Sequence, residues 1–484
     1  MRTKEIPYFP TLLQHPVLTF LGANVVFLLI FRLLLQTPML RYVLRNPDPL
    51  DVGYYTDIFS HLFAGGLLNV GVWGLEAILL GYLLRRAWVE EQWGTIIFVI
   101  VLVSAIVQLF VALFLPTTPY SDAYLYVGHA RRLFETGTYS SAQGHPTAFW
   151  PVGYPAFLAV LMKLRSSEFE LFARLANIVF FLGFCFAVNT VAKEFLSDKQ
   201  RIVCMAFIAL SANTMLGVNV LMAELPFVVC VWLTIALMRK VSHSWTSIVV
   251  SGVLLGFAAY LKPVGALLPL IVIVPMLRTN KETHKFPKAI LLLTMFTLTL
   301  APWVCRNYIV FQRFPVLATN GGFNFLMGNR ENASGAYDSR FSHDATNPQE
   351  AIESDEAYRQ GLKNIATHPT KALMRMPFKI VYSYWRADYN VTWSLKKTLQ
   401  DVPVLLKSFF FYGANGLYYG VIALSMMGIV LDARKGKARI TRDFLLMGIA
   451  VYSMSIILLF FGSERYVAAF YPVHVFLASK MMVD

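Results

Sequence analysis

Two acidic residues of this sequence lie where an apolar segment meets a polar one. Asp122 is the first acid after a long apolar run, and Glu224 stands between two apolar segments with few polar neighbours. A lone carboxylate at such a boundary is costly unless a cation, a metal ion or water accompanies it. A carboxylate kept there is also suited to general acid–base chemistry. We therefore interpret Asp122 and Glu224 as candidate catalytic residues.

Three cations follow at similar boundaries. Lys262 precedes Pro263 at a tight junction of two apolar segments, Arg306 follows an apolar run, and Arg465 lies in a short polar turn. A long basic side chain that reaches from the membrane to its surface explains any one of them. Three cations on one predicted side, beside two acids, favour an anionic group, and phosphate is the natural candidate.

The segment after Asp122 has helical spacing. Asp122, Tyr126, Ala130 and Leu133 fall on one face, and Gly137 is expected to end the helix. A short surface helix that presents the carboxylate on one face is therefore predicted.

The composition shows which elements must position these residues. Hydrophobic residues make up 57% of the 484 residues, charged residues make up 14%, and the mean hydropathy is +0.55. Soluble domains carry about 25% charged residues, so the sequence indicates a polytopic membrane protein. The net charge of +14 fits Lys and Arg in cytoplasmic loops. No basic run is interleaved with aromatics, so no nucleic-acid partner is expected.

We expect an all-α fold with about 12 transmembrane helices, because about 20 apolar residues are needed to cross a membrane. The predicted spans are 16–36, 62–84, 94–116, 169–192, 202–218, 222–238, 246–262, 263–278, 288–305, 408–431, 443–461 and 466–482. The first of them is interpreted as a signal anchor. The predicted units are N-terminal helices (1–93), a transmembrane core (94–305) with its first outer loop (117–168), an outer region (306–393) and C-terminal helices (394–484).

The orientation follows from the basic loops. Lys and Arg outnumber Asp and Glu by 18 to 8 over segments 1–15, 85–93, 193–201, 239–245, 278–288 and 432–443. These segments are predicted to be cytoplasmic, together with both termini. The apolar run 151–164 then begins and ends on the outer side, and it is too short to span. We predict a re-entrant or interfacial helix there, and a second interfacial helix over 373–393.

Several short motifs carry a resemblance. They are Asp122 to Tyr139 with its helical spacing, Pro151-Val-Gly-Tyr-Pro155, Met222-Ala-Glu-Leu-Pro226, Leu261-Lys-Pro263, Pro302-Trp303 with Arg306-Asn-Tyr308, Thr319 to Asn329 and Glu464-Arg-Tyr466. In this order the set resembles GT-C fold membrane glycosyltransferases that use polyprenyl-phosphate sugars. The group of protein O-mannosyltransferases and lipid A aminoarabinose transferases, similar to glycosyltransferase family 39, is the one it looks like.

The resemblance covers roughly 94–484 and implies roles for individual residues. Asp122 would activate the acceptor hydroxyl, and Glu224 would help position the acceptor or a divalent ion. The expected substrate-binding residues are Tyr126, His129, Lys262, Arg306, Asn320, Asn329, Arg465 and Tyr466. This chain has Lys262 where the family usually has arginine, and Trp150-Pro151 where two prolines are common.

The use of a metal ion is left open by the sequence. No HExxH motif is present, and His129 and His145 are too far apart for a local ligand pair. Asp122, Glu224 and His129 are the candidate ligands of a divalent ion. A histidine that is simply hydrogen-bonded is the plainer interpretation of His129.

The expected function is that of an inverting glycosyltransferase. It would move a sugar from a polyprenyl phosphate to a hydroxyl of a lipid, protein or glycan, at the outer face of a bacterial inner membrane. Membrane lipids are expected partners. The alternative is a transporter or flippase of a lipid-linked or anionic substrate, which typically has two related halves and a polar site near the midplane. Polysaccharide polymerases and ligases also use lipid-linked donors.

Overall fold

The computed structural model describes most of the chain after residue 92. The described residues are 93–114, 118–239, 244–278, 283–313, 317–338, 349–385, 404–434, 440–441 and 443–483. The predicted spans 16–36 and 62–84, and all but the last residue of the predicted unit 1–93, lie outside them.

The described residues are helical, with no strand and only two isolated β-bridges, which confirms the all-α fold class. The helices, in chain order, are α1 (Trp93–Phe114), α2 (Asp122–Thr136), α3 (Gly153–Leu164), α4 (Phe169–Ala192), α5 (Asp198–Ala209), α6 (Ala212–Gly217), α7 (Glu224–Leu237), α8 (Trp245–Leu261), α9 (Leu268–Arg278), α10 (Lys285–Phe311), α11 (Asn320–Asn329), α12 (Glu350–Thr367), α13 (Pro369–Trp385), α14 (Val404–Arg434), α15 (Phe444–Leu459) and α16 (Tyr471–Val483). Short 3₁₀ helices cover Ser166–Glu168, Pro263–Leu267 and Glu464–Tyr466.

Four segments of the described chain are long and apolar enough to cross a membrane. They are Trp93–Leu113, Ser166–Ala192, Lys285–Phe311 and Gly413–Val430. Shorter apolar helices, such as the 14-residue α7, stand beside them. Apolar helices on this scale make the chain an integral membrane protein. The 12-residue α3 is about 18 Å long, so it cannot span alone, as its sequence predicts.

One predicted span is wrong as a continuous helix. The run 202–218 is divided into α5 and α6, which end and begin on either side of Leu210 and Ser211. The Ser211 side chain accepts a hydrogen bond from the Thr214 backbone N–H and so caps a new helix. Thr214 Oγ1 also donates to the Ile208 carbonyl over 2.7 Å, which holds the break together. Likewise, the last helix begins at Tyr471 rather than at 466, because a 3₁₀ turn occupies Glu464–Tyr466.

The helices that carry the site pack closely. A Cβ atom added at Gly252 would lie 2.7 Å from the Leu292 carbonyl oxygen, so α8 and α10 approach each other through this glycine. In the turn that precedes α16, the Ala469 carbonyl accepts a hydrogen bond from the buried Trp232 of α7 over 2.9 Å. These contacts hold α7 and α8 against their neighbours.

A group of charged residues lies just after the C-terminal end of α7. Arg239 donates to Glu194 and Asp443, with atoms 2.5 Å apart in each pair. Since α7 starts at Glu224, the two ends of this helix are about 20 Å apart. The Arg239 group joins loops that the sequence predicts to be cytoplasmic, and Glu224 lies at the other end of the same helix.

Candidate active site

Four of the residues singled out in the sequence meet in one cluster. Arg465 Nη1 lies 2.6 Å from Asp122 Oδ2, and Arg465 Nε donates to Glu224 Oε1. Lys262 Nζ donates to the same Glu224 oxygen over 2.9 Å. We call Asp122, Glu224, Lys262 and Arg465 the charged cluster. It contains two carboxylates and two cations, so its formal charge is balanced.

Each member of the charged cluster stands at, or within one residue of, the end of an element. Asp122 and Glu224 are the first residues of α2 and α7, where the partial positive charge of a helix N-terminus stabilises a carboxylate. Lys262 directly follows α8, and Arg465 is the middle residue of the 3₁₀ helix Glu464–Tyr466. Four separate elements therefore end at the same place.

The backbone before Asp122 is unusual. Ser121 has φ of 52° and ψ of −134°, in a region that residues with a side chain rarely adopt. Such strain persists only where the surrounding structure imposes it, and it is common at functional sites. Here it turns the chain so that α2 begins with the carboxylate beside Arg465.

Gly153 explains how the proline-rich motif supports the cluster. A Cβ atom added there would lie 2.7 Å from the carbonyl carbon and oxygen of Tyr260, so α3 touches the last turn of α8 backbone to backbone. Lys262 comes two residues after Tyr260. The motif Pro151-Val-Gly-Tyr-Pro155 thus sets the position of Lys262 as well as its own loop.

Unpartnered polar atoms surround the charged cluster. Glu224 Oε2, Tyr154 Oη, Tyr452 Oη and Trp150 Nε1 are buried, and none has a hydrogen-bond partner within the part of the chain that the structure describes. Buried polar groups are normally satisfied, so this concentration points to a ligand or water at the site. Tyr154 belongs to a motif recognised in the sequence, whereas Tyr452 lies in an apolar run with no signal.

A small cavity of about 10 Å³ opens on the two cations, with room for about one water molecule. Its lining residues are Phe227, Lys262, Val264, Tyr452, Ile456, Arg465, Tyr466 and Ala469. Tyr466, expected to bind substrate, is therefore part of this wall. Tyr126, another expected contact, is buried with its ring 5.8 Å from those of Trp150 and Tyr154.

Arg306 does not join the charged cluster. Its guanidinium donates to the carbonyls of Tyr139 and Thr147, at 2.8 and 2.9 Å, and to Asn307 Oδ1 at 3.0 Å. It also lies over the Trp303 ring, 4.8 Å from its centroid. The structure therefore does not bring Arg306 together with Lys262 and Arg465: its donors hold the loop between α2 and α3, and phosphate binding by Arg306 stays a prediction.

Glu350 is a site residue that sequence reasoning missed. It is 1% exposed and accepts hydrogen bonds from Thr147 Oγ1 and the Ala148 N–H, both at 2.6 Å, and from Thr319 Oγ1 at 3.1 Å. Burial raises the pKa of this carboxyl, and the hydrogen bonds and Arg306 act in the opposite sense. Glu350 of α12 and Arg306 of α10 therefore both form hydrogen bonds with the loop between α2 and α3. Nothing in the sequence distinguishes Glu350 from the other acids of its polar region.

His129 is not beside Glu224. It is buried, its Nδ1 lies 3.0 Å from both the Ser140 carbonyl oxygen and Arg132 Nη2, and its ring stacks on Tyr139. Nδ1 donates to the carbonyl or accepts from the guanidinium, according to tautomer. Burial, followed by the neighbouring Arg132 charge, lowers the pKa of His129 to about 4. The residue packs the loop after α2, and its role as a substrate or metal contact stays a prediction.

The Asn329 side chain forms hydrogen bonds with three other parts of the chain. Its Nδ2 donates to the carbonyls of Phe325 and Leu459, and its Oδ1 accepts from Lys379 Nζ over 3.0 Å. Asn329 therefore links α11, α13 and the end of α15, and its contact with substrate stays a prediction. Asn320, the other expected asparagine, is partly buried at the first position of α11.

The charged cluster does not suit a divalent metal ion. A metal site needs several anionic or neutral donors that converge, whereas both carboxylates here already bind cations. His129, the third candidate ligand, faces Ser140 and Arg132 instead. In the described ranges, no three His, Cys, Asp or Glu side chains form a group that could hold a metal.

A family model matches one segment of the chain, and solved structures are similar to most of it. A family model described as a domain of unknown function (DUF8201) matches residues 157–316, less than half of the chain. No curated protein matches it. Among solved structures, the chain is similar to the oligosaccharyltransferase AglB of Archaeoglobus fulgidus in complex with an inhibitory peptide and a dolichol-phosphate. The two sequences are 13% identical, and the TM-score is 0.45. The similarity covers 81% of this chain and 50% of that one.

A second similarity is to ArnT of Cupriavidus metallidurans bound to undecaprenyl phosphate, with 15% identity and a TM-score of 0.39 over 80% of this chain and 77% of that one. The chain spans about half the length of the AglB protein that it matches.

Proposed function

We propose that this protein is a GT-C-type glycosyltransferase that moves a sugar from a polyprenyl-phosphate donor to an acceptor hydroxyl. The observation that carries the proposal is the charged cluster. Asp122, a carboxylate suited to general base catalysis, lies beside Lys262 and Arg465, two cations suited to a phosphate. The ordered motifs of the sequence support the same family.

The chemistry follows from these residue types. As the bond between the sugar C1 and the phosphate oxygen breaks, its electron pair passes to the phosphate. Lys262 and Arg465 would stabilise this growing charge, which lowers the barrier because the charge develops in the transition state. The acceptor oxygen attacks C1 from the opposite face and gives its proton to Asp122, so the configuration at C1 inverts. Glu224 holds both cations in place.

The supporting residues have a second task in this proposal. Arg306 and Glu350 hold the Tyr139–Ala148 loop, which lies between the helix that carries Asp122 and the motif that carries Tyr154. Positioning of this kind accounts for a large part of a catalytic rate. The reaction is placed at the outer face of a bacterial inner membrane, with both termini in the cytoplasm. The acceptor is a lipid, a protein or a glycan.

The test is donor turnover by purified protein in detergent. Wild type and Asp122→Asn are incubated with a panel of polyprenyl-phosphate sugars and a panel of acceptors, and released polyprenyl phosphate is measured. Asp355→Asn is the matched control, since it removes one carboxylate from a residue whose side chain is 54% exposed and outside the cluster. We expect Asp122→Asn to lose at least about 100-fold in rate.

Equal turnover by wild type and Asp122→Asn would remove Asp122 from the mechanism. If wild type neither turns over nor binds any donor of the panel, the proposed donor class is wrong. The transporter alternative would then be examined first.

A further inference from the structure

Arg465 is a cation shared by two carboxylates that are held unequally. Glu224 is bound by both Arg465 and Lys262. Among the residues that the structure describes, Asp122 has an ion pair with Arg465 alone, and its other polar contact is Ser121 Oγ at 3.5 Å. Asp122 is therefore the carboxylate that Arg465 can release at the lower cost.

The charges of the charged cluster are already balanced without a further anion. Two carboxylates already balance Lys262 and Arg465, and a phosphate would make three anions against two cations. The side chains of Asp122 and Glu224 are only 19% and 20% exposed, so water screens the repulsion poorly. One carboxylate must leave the cations when a phosphate arrives.

The available space leads to the same result. The cavity that opens on Lys262 and Arg465 is about 10 Å³ in volume, and a phosphate is much larger than the single water that fits there. A phosphate that enters this space therefore competes with the side chains that already occupy the two cations. Breaking the contact between Arg465 and Asp122 requires the loss of one ion pair, whereas moving Glu224 requires the loss of two.

We propose that the donor phosphate displaces Asp122 from Arg465, so that binding of the donor frees the carboxylate that later accepts the proton of the acceptor. This inference rests on the proposed function. In the resting arrangement Arg465 Nη1 occupies Asp122 Oδ2. Once the phosphate takes its place on Arg465, Asp122 has lost this ion pair and can face an acceptor hydroxyl. The exchange makes the base available only when a donor is present.

The exchange has a measurable consequence. If Asp122 competes with phosphate for Arg465, the ion pair lowers the apparent affinity for the phosphate, because only the opened state binds it. Removing the Asp122 charge should then strengthen binding of a lipid phosphate.

The experiment measures dissociation constants of the purified full chain for undecaprenyl phosphate, in detergent at fixed pH and ionic strength. Wild type is compared with Asp122→Asn, Asp122→Ala and the control Asp355→Asn, and undecaprenol serves as the uncharged ligand. We expect both Asp122 variants to bind the phosphate about fivefold to tenfold more tightly than wild type. Asp355→Asn should bind like wild type, and undecaprenol should not distinguish the four proteins.

Four outcomes would overturn the inference. The competition is excluded if wild type binds the phosphate and both folded Asp122 variants bind it equally well or more weakly. If Asp355→Asn gains as much affinity for the phosphate, the effect is due to overall charge. If the Asp122 variants gain as much affinity for undecaprenol, the effect is due to the lipid chain. Absence of binding by all four proteins overturns the proposed function itself, and this inference with it.

Discussion

Arg465 Nη1 lies 2.6 Å from Asp122 Oδ2, although 343 positions separate the two residues in the sequence. This contact joins the first helix after α1 to the turn before the last helix. It places a candidate base and a candidate phosphate ligand within one hydrogen bond of each other. The geometry of the site therefore depends on how the two ends of the described chain pack together.

Lys262 offers a direct test of the cation role. Lys262→Met keeps the length of the side chain and removes its charge, so the growing charge on the phosphate loses one of two cations. We expect kcat/KM for the donor to fall about 100-fold, and Lys262→Arg to retain most of the activity. The control is Lys371→Met, whose side chain is 52% exposed and pairs with Glu331. Unchanged kcat/KM in Lys262→Met would contradict this role.

Gly153 tests the contact between α3 and α8. In Gly153→Ala the new methyl group would lie 2.7 Å from the Tyr260 carbonyl, so the two backbones must separate. We expect a destabilisation of about 1–3 kcal/mol, seen as a lower thermal unfolding midpoint, together with reduced donor turnover. Gly94→Ala is the matched change, because nothing lies within 4 Å of its added Cβ. The close contact is unimportant if the two variants behave alike.

Glu350 offers a test of the hydrogen bonds that hold the Tyr139–Ala148 loop. Glu350→Gln replaces one accepting oxygen by an NH₂ group and removes the charge that strengthens bonds from Thr147 and Ala148. We expect a loss of about 1–3 kcal/mol in stability and a lower kcat with little change in donor KM. Glu356→Gln, an exposed acid on the same helix, should have neither effect. Normal kcat in folded Glu350→Gln would limit this residue to a structural role.

The buried His129 predicts a pH dependence of stability. Its pKa falls from 6.5 to about 4 in the folded protein, chiefly because it is buried. Between these values the unfolded chain binds more protons than the folded one, so stability rises with pH. The contribution is complete above about pH 6.5 and is lost as the pH falls toward 4. As the pH falls through this range, the thermal unfolding midpoint should decline less in His129→Gln than in wild type. An equal decline in the two proteins would contradict the role of His129 in this pH dependence.

Local elements could be predicted because local residues determine them. The spacing after Asp122 and the glycine at 137 predict the bounds of α2, and Gly137 does adopt φ of 70° and donates its N–H to the Leu133 carbonyl. The length of α3 follows in the same way from a short apolar run between prolines. The break between α5 and α6 was missed, since the apolar character of 202–218 is continuous enough to conceal the cap at Ser211.

The sequence by itself determined which charged residues stand at the ends of apolar helices, because a membrane tolerates charge mainly at its boundaries. Asp122, Glu224, Lys262 and Arg465 were all recognisable on that ground. Only the tertiary structure decided the partners: Arg465 meets two acids, whereas Arg306, alike in type and setting, meets backbone carbonyls. Glu350 and Tyr452 likewise acquire their surroundings from helices distant in the chain. Such contacts depend on how helices pack side by side, and no local pattern of residues specifies that packing.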